Sequence, residues 1–158
     1  MRKPHLFLAF AALWAAGAPL LRAEEPAPPA LAVVEFQVRG MDDPGETGKI
    51  VSELFSVKLG PYFRVLERVQ VARIIETQDF QALDLVADPK KAAQVGQLAR
   101  AEYIMVGSLN RLGDDYLLVA RILDCETAEQ VKGSSASFRG LGSLSGAVEE
   151  AIKSMGLQ

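Results

Sequence analysis

The chain has 158 residues, with 17 Lys and Arg against 20 Asp and Glu and a formal net charge of −3, and 49% of its residues are hydrophobic. The basic residues are scattered singly or in the pair Lys90–Lys91. That pattern excludes the cationic footprint that nucleic acid or an anionic membrane surface requires.

Met1–Ala23 carries Arg2 and Lys3, then an apolar run from Leu6 to Leu21 broken by Pro19, then the small residue Ala23 before Glu24–Glu25. This is the layout of a secretory signal peptide over 1–23. A membrane span needs about 18 or more unbroken apolar residues, which this run does not reach. There is no cysteine near the cleavage region, so no lipid anchor of the bacterial lipoprotein kind and no span are expected after cleavage, and the localisation expected is periplasmic. Cleavage removes three basic residues and no acidic one, leaving 14 against 20, a charge of −6. The remaining chain of about 135 residues is one domain in length.

The only histidine, His5, leaves with the signal peptide, and Cys125 is the only cysteine. This excludes an intramolecular disulfide, a Cys/His zinc site, a Ser-His-Asp or Cys-His triad and a histidine general base. Asp124 and Glu126 flank Cys125 and disfavour its thiolate, so it reads as a thiol at a strand end without a catalytic role.

Residues 24–30, rich in proline, form a linker ahead of a domain over 31–158. Leu31–Val38 (LAVVEFQV) predicts an interior strand. The loop Gly40–Gly48 follows, with Asp43 as N-cap and Pro44 in the first turn of a helix that packs through Ile50, Val51, Leu54 and Val57 and ends at Gly60–Pro61. Tyr62–Leu66 predicts a second strand, which completes a parallel βαβ unit. A helix is expected over Glu67–Asp79 with Val71, Ala72 and Ile75 inward. Another opens at Asp88–Pro89 and packs through Ala92, Val95, Gly96 and Ala99. Tyr103–Leu109 and Tyr116–Leu123, joined by a turn at Gly113, form a hairpin apolar enough to be covered on both faces. Glu129–Phe138 (EQVKGSSASF) is polar, as an edge strand tends to be, and Ser143 or Ser145 caps a last helix, Leu144–Met155. The fold class expected is α/β (α+β), a mixed sheet of about five strands with helices packed on it.

Gly140, Gly142 and Gly146 resemble a phosphate loop entering a helix, but the spacing is G-x-G-x-x-x-G, no Lys follows and no βαβ unit encloses it, so a connection with a Ser cap is the better reading. Nor is this an esterase elbow, because Leu144 stands in the serine position. The carboxylate pairs Asp42–Asp43, Asp114–Asp115 and Glu149–Glu150 are adjacent in sequence and read as surface charge. Arg121, inside an apolar strand, needs a carboxylate or carbonyl partner, and a structural ion pair is the expectation.

The runs Val65-Leu66-Glu67-Arg68, Thr77-Gln78 and Ala92 to Ser108 (AAQVGQLARAEYIMVGS) resemble the CsgG family of bacterial envelope proteins. The resemblance implies a fold like the anticodon-binding domain and the N-terminal domain of TolB. It departs from the curli exporter itself, having neither the acylated cysteine nor room for membrane hairpins. Glu102 stands where the family has Asp and Ala128 where a Gly often closes the turn. Related LpoB-like periplasmic domains use such a domain to bind other proteins. The expected function is a non-enzymatic periplasmic binding or assembly module of the secretion or cell-wall machinery. No catalytic residue, metal or cofactor is assigned. The partner is an envelope protein and not nucleic acid, its binding residues are unassigned, and homo-oligomerisation is left open. The surfaces expected to carry it are the Gly40–Gly48 loop and the edge Glu129–Phe138. A small-ligand or peptidoglycan-binding domain and a carboxylate hydrolase are the alternatives, marked by a concave pocket and by two converging acids respectively.

Overall fold

The computed structural model describes residues 26–157, so the signal-peptide segment lies outside the described residues. A six-stranded mixed sheet runs through the molecule. The run LAVVEFQV does not make one strand. It makes β1 (Ala30–Val33) and β2 (Gln37–Arg39), both parallel to β4 (Tyr103–Leu112), with a break between them. At the break Val34 N still donates to Met105 O, but Phe36 N turns to Gly48 O on the first helix, so the helix, not the sheet, takes that donor. β3 is shorter than expected, only Arg64–Val65, and pairs parallel with β1. β5 (Asp115–Asp124) and β6 (Gln130–Arg139) continue antiparallel, giving the order β3-β1-β4-β5-β6.

Helices cover both faces. On one lie α1 (Pro44–Leu59) and α5 (Leu144–Ser154), which bury Phe55, Leu59, Val148 and Ala151 against Leu31, Val33, Met105 and Ile122. On the other lie α2 (Arg68–Thr77), α3 (Ala82–Ala87) and α4 (Pro89–Leu98), where Val71, Leu85 and Val95 meet Ala32, Ile104, Val106 and Leu123. The caps are where the sequence placed them, and at two of the three helices the side chain makes the capping bond. Asp43 Oδ1 accepts from Glu46 N at 3.1 Å and Asp88 Oδ1 from Lys90 N at 2.9 Å, each with proline in the first turn. Ser143 occupies the N-cap position of α5 without a side-chain bond.

The packing face of α1 corrects the expected one. Val51 is buried and Leu54 partly so, but Ile50 is 48% exposed and Val57 69% exposed. The inward face is instead Gly48, Val51, Ser52, Phe55 and Leu59. The register is set by the close approach at Gly48, where a Cβ would overlap the Phe36 carbonyl, and by the parallel stacking of Phe55 on Phe36 at 4.9 Å between centroids. In α2 only Val71 is fully buried and Ala72 is exposed. α4 packs as expected, through Ala92, Ala93, Val95 and Gly96, with Ala99 buried just beyond its end.

The hairpin of β4 and β5 is longer than the apolar runs, closing with Leu112 opposite Asp115 around Gly113 at φ +67°. Two-sided burial holds for Ile104–Gly107. It does not hold for most of β5, where Leu117, Val119 and Arg121 are only half-buried on the face shared with Val106. The helices of that face are short, and from β5 the Arg121 guanidinium reaches across to donate to the Val86 carbonyl of α3. Its partner is thus a carbonyl near the end of α3 and not the carboxylate of an ion pair, which spares the desolvation of a second charge.

Candidate partner-binding surfaces

Among the described residues, the side chains that the sequence singled out as candidates for chemistry lie apart from one another. Cys125 is buried at the end of β5, packed where a Cβ on Gly96 would overlap its Sγ. Burial, and after it the charge of Asp124, pushes the thiol up to about 12. Burial leads, therefore, where the sequence pointed only to flanking acids. Asp124 itself is held below the usual carboxylate range because its Oδ1 accepts from Thr127 N at 2.9 Å and Glu126 N at 2.8 Å. These bonds build the turn in which Ala128 adopts φ +60°, a conformation that glycine takes without penalty.

The carboxylate pairs do not converge. Asp43 caps α1, Asp115 bonds Arg139 Nε at 3.0 Å across the β5–β6 ladder, and Glu149 pairs with Lys58 between α5 and α1. Among the described residues no three His, Cys, Asp or Glu side chains form a group able to hold a metal. Gly140 has φ +73° and leads through a short 3-10 turn, Leu141–Ser143, into α5, as a connection and not as the cradle of an enclosed helix.

Of the two surfaces expected to take a partner, the loop is the smaller. Pro44 already belongs to α1, so Gly40–Asp43 is all that remains free of helix, and Gly40, at φ +77°, is placed so that a Cβ there would lie 3.1 Å from Arg111 Cβ. The edge is more substantial. β6 is ten residues long, pairs among the described residues with β5 alone, and exposes Val131, Gly133, Ser135 and Ser137. Its ladder to β5 has a register shift at which Gln130 opposes Leu123 and Lys132 opposes Ile122, so Val131 is an extra residue without a Cα partner. α5 supports the strand from one face through Ala136.

What sequence reasoning missed on the other face is α3 and the hollow beside it. The signal was present in Gln81 and Asp84, which form a reciprocal capping box around ALDLVA.

These features define a class by architecture: a mixed sheet between two helical layers, with one long free edge. No family model and no curated protein sequence matches the chain. Solved structures do share the fold. The chain is similar to the LpoB C-terminal domain from Salmonella enterica, with 14% identity and a TM-score of 0.54 over 75% of this chain and 87% of that one. It is similar to lipoprotein GNA1162 from Neisseria meningitidis, with 17% identity and a TM-score of 0.57 over 80% and 97%. It is also similar to the subunit of a PelC dodecamer from Paraburkholderia phytofirmans, with 14% identity and a TM-score of 0.53 over 84% and 94%. At such identities the likeness is one of fold.

Proposed function

We propose that this chain is an exported, non-enzymatic accessory domain of the bacterial cell envelope that binds a partner protein along the outer edge of β6. The observation that carries the reading is that edge: ten residues of strand, unpaired on one side among the described residues, with small side chains beside it. An extended segment can add to such an edge by main-chain hydrogen bonds. A fold shared with a lipoprotein supports the envelope setting; a partner from the secretion or cell-wall machinery is what the sequence resemblance to the CsgG family implies, and no family model matches the chain. The domain is taken to span 31–158, after a signal peptide over 1–23 and a linker over 24–30, of which Ala30 is already the buried first residue of β1.

Two measurements test this. N-terminal sequencing of protein from a periplasmic extract is expected to begin near Glu24, and an intact Met1 on cytosolic protein would overturn the compartment. Val131→Pro is expected to keep the fold by circular dichroism, because proline is tolerated at bulges, and to lose a partner that the unaltered chain captures from envelope extract. A normally folded variant that keeps every captured partner would sink the edge-strand reading.

Assembly with copies of itself is the second reading, supported by the same fold in the PelC dodecamer. Light scattering on the purified chain is expected to show more than one subunit per particle if it holds, and a monomer at every concentration would remove it.

A further inference from the structure

α2 stands off the sheet. It is ten residues long and fully buries only Val71, while Ile74 and Ile75 are half-buried and Val69 is 58% exposed. Facing it, the chain leaves the β4 ladder between β1 and β2, so neither strand nor helix fills the space between α2 and the start of α1. The result is a hollow of about 530 Å³, within the range of roughly 300–1,000 Å³ that ligand sites occupy. Its floor is apolar, with Val34, Val71, Ile75 and Phe80. Its rim is charged in both senses, with Lys49, Arg68 and Arg73 against Glu35 and Glu76.

The rim charges are largely unspent. Among the described residues Arg68, Arg73, Glu35 and Glu76 form no ion pair, and Lys49 makes one long contact, 3.9 Å, with exposed Glu46. On a chain whose net charge is −3, three cations against two acids make a locally cationic rim around an apolar hollow. The two guanidiniums offer paired donors that match a carboxylate. The two carboxylates are acceptors that a peptide backbone can satisfy with its N–H groups and that an acyl chain cannot.

We propose that this hollow is a docking site for an acidic, amphipathic peptide segment of a partner protein. One large apolar side chain of the segment enters between α2 and β1, flanking carboxylates meet Arg68, Arg73 and Lys49, and backbone N–H groups meet Glu35 and Glu76. The site rests on the protein-binding reading above and adds to it a second surface, on the opposite side of the sheet from α5.

The test uses the full chain and fluorescein-labelled, amidated tetrapeptides followed by fluorescence anisotropy. Glu-Leu-Phe-Glu is expected to bind saturably, and Lys-Leu-Phe-Lys roughly tenfold more weakly or worse, as the loss of charge-assisted hydrogen bonds dictates. The double substitution Arg68→Glu with Arg73→Glu lies at exposed positions. It is expected to leave the melting curve in place and to reverse the preference between the two peptides. Equal binding of both peptides, binding of neither, or an unreversed preference in the double variant overturns the proposal. So does labelled dodecanoate binding more tightly than either peptide, which would make the hollow a lipid site. A double variant that still captures every envelope partner of the unaltered chain also overturns the groove as a docking site, while leaving the protein-binding reading intact. If the unaltered chain captures nothing, that reading fails and the peptide titration alone decides the groove.

Discussion

Ile104→Ala is expected to cost about 2–5 kcal/mol, a large share of what holds a domain of this size together. Ile104 has no solvent exposure and sits in β4 between Ala32 of β1 and Leu123 of β5. Gly96 of α4 approaches so closely that a Cβ there would lie 3.4 Å from Ile104 Cβ. Neighbours fixed in a sheet on two sides and by a small-residue helix above cannot collapse far into the space that truncation leaves, and the residual cavity adds to the lost transfer energy. Chemical denaturation of the purified chain checks this, with Ile50→Ala as the comparison. Ile50 faces outward on α1, so its truncation is expected to stay within about 0.5 kcal/mol. A loss that small at Ile104, or a large one at Ile50, would overturn the assignment of inner and outer faces.

Gly107→Val is expected to be the most damaging single change on the opposite face, about 3 kcal/mol or more, at the upper end of what overpacking costs. Gly107 is buried in β4, opposite Ala120. Even one Cβ there would overlap both the Phe36 ring and the Val119 carbonyl. The ring cannot step aside, because it is stacked on Phe55 and both are buried without solvent exposure to speak of. The carbonyl belongs to the adjacent strand, so relief would require moving backbone. Denaturant midpoints and the near-ultraviolet circular dichroism of the aromatic cluster report the effect. Gly146→Ala is the control, since its Cβ would meet nothing within 4 Å and it lies inside α5, where alanine is expected to stabilise by roughly 0.5–1 kcal/mol. A tolerated Gly107→Val would mean that Phe36 packs elsewhere.

Much of the architecture was legible in order because local signals coincide with it. The Asp43-Pro44 and Asp88-Pro89 starts, the hairpin around Gly113 and the polar edge near 130–139 are each written in a few adjacent residues whose φ, donors or branching admit few alternatives. The scarcity of His and Cys is likewise a property of the chain alone, and it limits the available chemistry before any coordinate is known.

Other features were decided only when segments far apart met. LAVVEFQV reads as one strand because β propensity is nearly uniform along it, and where it breaks the Phe36 N–H is given to the Gly48 carbonyl of α1. The inward face of α1 follows from Phe55 stacking on Phe36, which hydrophobic spacing alone assigns equally well to Ile50 and Val57. Arg121 finds a carbonyl, Val86 O, that lies 35 residues away. The hollow beside α2 belongs to no segment at all: it exists because a short helix, a strand break and a helix start fail to fill one volume together. By itself the sequence determined the order of the elements it shows, α3 and the division of the first strand excepted, and the residue types available for chemistry, since those depend on neighbours in the chain. Tertiary structure alone decided which face of α1 turns inward, where the first strand breaks and where the surface is concave, because packing density and hydrogen-bond satisfaction are settled between elements and not within them.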